Sequence, residues 1–137
     1  MLSRPLPDLV AAFENATLAR DEWTHEAHLG VALTFCHTGG EERALERMRA
    51  GIQRYNAATG VADGPMSGYH ETLTVFWVHM VAKFVGQHSG EPEEIFPRLL
   101  ERWGDPRAPL RFYSKRLLMN PTARARLMAP DLAPLDG

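Results

Sequence analysis

The stretch Tyr69-His-Glu-Thr-Leu-Thr-Val-Phe-Trp-Val-His-Met-Val-Ala-Lys-Phe-Val85 decides the fold. Only Glu71 and Lys83 carry a formal charge in it. Leu73, Val75, Phe76, Trp77, Val78, Met80, Val81, Phe84 and Val85 fall on every side of a 3.6-residue helix. A helix without a polar face needs other helices around it, so this segment is predicted to be the buried centre of the molecule. The run is interrupted by His79 and Lys83 and is too short to span a bilayer, so no membrane partner is expected.

The rest of the chain supplies those surrounding helices. Leu and Ala together number 33, against 9 for Val and Ile, and no segment alternates with period two. The fold class is therefore all-α: a compact bundle of five to seven helices around residues 69–85. A first helix is expected from the cap Asp8 to about Thr17, and a second from Thr24 to His37, stopped by Gly39-Gly40. A third spans Glu41 to Ala58, with Leu45, Met48, Ile52 and Tyr55 on one stripe. Gly60–Gly68 reads as a flexible glycine-rich loop. A helix from Pro92 to Trp103, a short one around Leu110–Leu118 and a restart at Asn120-Pro121 follow. The proline-rich end, Pro130–Gly137, is expected to be extended.

At 137 residues the chain has the size of one domain, and no internal linker divides it. The net charge of -2 argues against a nucleic-acid partner. A single cysteine, Cys36, can form no internal disulfide, and no targeting segment is visible, which fits a cytoplasmic protein. The charge is uneven. Arg98 to Arg126 holds eight Lys or Arg against Glu101 and Asp105. The basic half could complement the acidic remainder in a homodimer.

Polar chemistry gathers at two helix starts. In Glu22-Trp-Thr-His25-Glu26-Ala-His28, the two histidines share a helix face three residues apart. Glu22-x-x-His25 has the spacing of bundle metal ligands, but di-metal sites need that pair twice and it occurs once. The second cluster is Tyr69-His70-Glu71-Thr72, at the head of the central helix. Should the two helices be neighbours, His25, His28 and His70 converge as ligands of a divalent transition metal. Glu71 and His70 are the candidate catalytic groups, as ligand or general base. Tyr69, Tyr113 and Arg111 are the candidate substrate contacts. The reading is a helical protein with a His/Glu-rich pocket, expected to be a metal-dependent enzyme on a small molecule. Two alternatives stay open beside it. One is a metal-free module binding a small-molecule ligand beside Trp77 and Phe112, with Arg111–Arg116 holding an acidic head group. The other is a homodimer in which His70 and Glu71 form a buried structural network.

Three segments occur in order over nearly the whole chain: Thr24-His25-Glu26-Ala27-His28-Leu29, Gly68-Tyr69-His70-Glu71-Thr72-Leu73-Thr74 and Arg111-Phe-Tyr-Ser114. Their arrangement resembles a group of small uncharacterised bacterial helical proteins. The resemblance implies that the three segments form one signature.

Overall fold

The computed structural model describes residues 2–135. Among them it is all-helical, with six α-helices, two short 3-10 turns and no strand. The helices are α1 (Leu6–Glu14), α2 (His25–Ala58), α3 (Glu71–Gly86), α4 (Pro92–Trp103), α5 (Lys115–Leu118) and α6 (Pro121–Ala125). The last two residues of the expected extended end, Asp136 and Gly137, lie outside the described residues. No helix among the described residues is long and apolar enough to cross a membrane.

α3 is the central helix. It packs on α2, α4 and α6, and its most extensive contact is with α2. Only Lys83 and Gly86 are exposed along it, while Phe76, Val78 and Val81 are fully enclosed. Burying each such side chain contributes about 1.5–3 kcal/mol. The Phe76 ring meets Trp77, Trp103 and Tyr113 edge-on, the geometry that ring quadrupoles favour. The helix begins two residues later than Tyr69, because His70 is its N-cap. The His70 backbone is extended and its Nδ1 accepts the Leu73 N–H at 3.2 Å.

Other boundaries differ from the sequence reading: α1 ends at Glu14, and the helix expected around Leu110–Leu118 is a 3-10 turn, Ala108–Arg111, followed by α5. α1 starts at Leu6 rather than after Asp8, which sits in the first turn. Pro5 is extended, and Pro7, whose φ is already helical, gives up an N–H that would have had no partner there. The second and third expected helices run on as α2 with no loop between them. The direction changes at Gly40 alone, at φ +83° and ψ 177°. That left-handed φ costs glycine nothing and would strain any side chain. The break lets the two halves of α2 meet different neighbours. Close approach matters at Gly51, where an added Cβ would stand 2.4 Å from the Phe13 ring. Phe13 in turn stacks on Trp23 at 4.5 Å, fixing the segment that enters α2.

The loop before α3 is pinned. Gly64 and Ser67 pair through their backbones, Asp63 Oδ1 accepts the Tyr69 N–H at 3.0 Å, and Arg124 donates to the Gly68 carbonyl at 2.9 Å. Residues 126–135 form no helix, but they are tied to the body. Tyr113 donates to the Met128 carbonyl, Leu132 N–H donates to the Phe112 carbonyl, and Asp131 accepts from the Ser114 hydroxyl.

Candidate functional site

A cleft of about 350 Å³ opens where the head of α2, the second half of α2 and the head of α3 meet. His25, His28 and His70 all line it, so the convergence expected from the sequence is present. Their nitrogens, however, are not arranged alike. His70 uses both ring nitrogens on the backbone: Nδ1 caps α3, and Nε2 donates to the Leu118 carbonyl at 2.8 Å. A carbonyl only accepts, so that nitrogen carries the proton and no lone pair remains for a metal. His25 Nε2 donates to the Trp103 carbonyl at 3.1 Å, and its ring lies 4.6 Å from Trp77. Only His28 has no hydrogen bond to another described residue; its ring rests 4.3 Å from Trp23. Among the described residues, no group of three or more His, Cys, Asp or Glu is placed to hold a metal ion. The three imidazoles expected as metal ligands thus share a cleft, but the His70 ring is committed to the backbone on both sides and the His28 ring is unengaged.

Electrostatics set the protonation of these rings. Burial, with a smaller contribution from His25, pushes His28 down to about 4, so it is neutral at pH 7. Burial also lowers His70, opposed by the Leu118 carbonyl that holds its N–H. A neutral imidazole is both a donor and an acceptor. His28 therefore presents two hydrogen-bonding edges rather than a charge.

Glu71 does not line this cleft. Its carboxylate faces a second cavity of about 570 Å³, beside Gln53 and Asp63. Arg49 Nε donates to both carboxylate oxygens at 3.0 Å, Arg49 Nη2 makes a further close contact, and the Tyr69 hydroxyl donates to Oε1. The guanidinium, helped by Tyr69, holds the carboxyl below its ordinary range. A carboxylate so neutralised is a poor base. Burial and the neighbouring carboxylate push Tyr69 upward, so its phenol stays protonated. The pairing of Glu71, expected as a general base, with Arg49 joins α2 to the head of α3. Tyr69 borders both cavities.

Tyr113 and Arg111 stand apart from the cleft. Tyr113 is enclosed in the core with its hydroxyl on Met128, and Arg111 lies over the Trp103 ring at 6.0 Å. Trp77 lines the cleft but Phe112 lines a different cavity, so the pocket expected between them divides in two. Of the three resembling segments, the first two border the cleft and the third does not. The remaining histidines serve local packing: His79 pairs with Glu41 at 3.0 Å, His37 bonds the Gly90 carbonyl, and His88 stacks on Phe84.

The sequence reading missed two cleft residues, Asn56 and Arg20. Asn56 is 9% exposed, and its side-chain amide has no hydrogen bond to another described residue. Its signal was available. Asn56 lies four residues after Ile52, on the apolar stripe of that helix, where an amide has no packing reason to be. Arg20 is exposed on the 3-10 turn, its guanidinium 5.5 Å from the Tyr55 ring and in no salt bridge among the described residues. Flanked by Asp21 and Glu22, it gave no signal, because Glu22 turns away to bind Arg4.

No family model matches the chain, and no curated protein or solved structure does either.

Proposed function

We propose that the chain is a metal-free binding domain for a small organic molecule, taken up in the cleft between α2 and the head of α3. One observation carries the reading: the His28 imidazole and the Asn56 amide line the same cleft and neither is used by the protein. Both groups keep contact with water, since no enclosed side-chain nitrogen or oxygen among the described residues lacks a partner, so a molecule entering the cleft can take up their bonds. The surroundings suit that use. A volume of about 350 Å³ falls in the range of ligand pockets, which have apolar walls and a few polar groups. Trp23 and Trp77 give flat walls, each held by an imidazole. The engagement of His70 and Glu71 elsewhere supports binding rather than acid-base chemistry at this site.

The test is a fragment screen on the untagged protein and on a double variant, His28→Phe with Asn56→Leu, which keeps volume and removes both polar groups. Fragments of the wild type should lose at least tenfold in affinity on the double variant. Equal binding to both proteins would refute the reading. So would stoichiometric metal in the untagged protein that disappears in a His25→Ala variant.

A further inference from the structure

The cleft also carries a signature of its ligand's charge. Its lining contains one permanent cation, Arg20, and no carboxylate. The imidazole with free nitrogens, His28, is neutral at pH 7 and adds no charge. Neither neighbouring acid forms an ion pair with Arg20 among the described residues: Glu22 is held by Arg4 and Ser3, and Asp21 does not line the cleft. The charge is also graded along the cleft. Arg20 is exposed, whereas Asn56 is almost fully enclosed. An exposed guanidinium above an uncharged floor of amide and imidazole selects a molecule with an anionic end and a neutral polar end. The Trp23 and Trp77 side chains line the wall between those ends, with Phe13 stacked on the first indole and His25 against the second, which suits an apolar body.

Resting on the binding reading above, we infer that the ligand class is a small monocarboxylate with an apolar body and a neutral hydrogen-bonding group at the opposite end. The carboxylate takes the fork of Arg20, and the far group exchanges hydrogen bonds with Asn56 and His28. A guanidinium matches a carboxylate bidentately, which gives direction as well as strength. A second carboxylate would have no cation to meet. A cationic molecule would face Arg20 at the entrance.

Three matched probes separate the outcomes: 4-hydroxybenzoate, its uncharged amide 4-hydroxybenzamide, and the cationic 4-hydroxybenzamidine. The indole N–H signals of Trp23 and Trp77 report the cleft in a ¹H–¹⁵N spectrum. Trp103, the third of three tryptophans, lines another cavity and meets Trp77 edge-on, so its signal should move less than those two. The acid should shift Trp23 and Trp77 saturably, at least tenfold more tightly than the amide, and the amidine should be weakest. Arg20→Leu should bring the acid down to the affinity of the amide and leave the amide unchanged. Arg20→Lys should restore part of the preference. Asn56→Leu should weaken acid and amide alike. If acid and amide shift the two indoles with equal affinity, or the amidine binds best, the inferred charge class is wrong and the binding reading stands. If none of the three moves Trp23 or Trp77, both fall. An unchanged Trp103 signal in each variant shows that it is folded.

Discussion

His28 gives a test of the cleft that needs no ligand. Its imidazole is lowered from the ordinary 6.5 to about 4 by burial. The unfolded chain therefore binds a proton more readily than the folded one, and acid favours unfolding. The sign follows: the contribution is fully present above pH 6.5, shrinks as the pH falls, and is gone below 4. A gap of about 2.5 pH units corresponds to about 3 kcal/mol in all, of which about 2 kcal/mol is already lost at pH 5. Replacing the ring by an uncharged one of similar shape, His28→Phe, removes this term. Urea unfolding of both proteins at pH 7.5 and pH 5 measures it. Wild type should lose about 2 kcal/mol more than the variant between the two conditions, whatever the carboxylates contribute to both. Parallel losses would refute the reasoning, as would a His28 ring-proton titration centred near 6.5. Either result would mean that water reaches the imidazole freely.

Two further predictions concern the framework of the cleft. His70→Ala removes the cap of α3 and the bond to Leu118, and should cost about 2–3 kcal/mol in chemical denaturation; His70→Asn, which can still accept the Leu73 N–H, should recover about 1 kcal/mol. Gly51→Ala places a methyl group against the Phe13 ring and should destabilise by about 1–3 kcal/mol, seen as a lower Tm, with the Trp23 indole signal displaced through the Phe13 stack.

The central helix was legible because its information is local: seventeen residues with two charges dictate a buried helix whatever lies elsewhere. The break at Gly40 was legible for the same reason, though not its form. A glycine pair signals a stop, but whether the chain needs a loop or turns on one residue depends on what the two halves pack against. At α1 a polar cap signal, Asp8, competed with two prolines, and the fixed proline geometry prevailed. The histidines around the cleft could be named from their three-residue spacing and helix-start positions. Their roles could not, since the Leu118 and Trp103 carbonyls that engage them lie 48 and 78 residues away. Glu71 reads as a base because an ionisable group at the head of a buried helix is expected to have its pKa tuned by burial. Its chemistry is set instead by Arg49, from the opposite helix. Asn56 was within reach of the pattern, as an amide on an apolar stripe. Arg20 was not, because adjacent acids in sequence looked like its partners.

The fastening of α3 has a consequence for how the chain folds as it is made. The Thr72 hydroxyl meets the Ala123 carbonyl at 2.7 Å and the Arg126 carbonyl at 3.0 Å, and accepts the Met128 N–H. His70 is secured by Leu118, and Gly68 by Arg124. Every one of these partners is synthesised some fifty residues after the group it secures. During translation, α1 and α2 can pack against each other early, as N-terminal segments do. The head of α3 and the floor of the cleft cannot close until residues 118–128 have left the ribosome. A ribosome that stalls short of them leaves a chain with most of its helices and an unfastened head of α3. In this molecule, the central helix is the first to be recognisable in the sequence and the last to be secured.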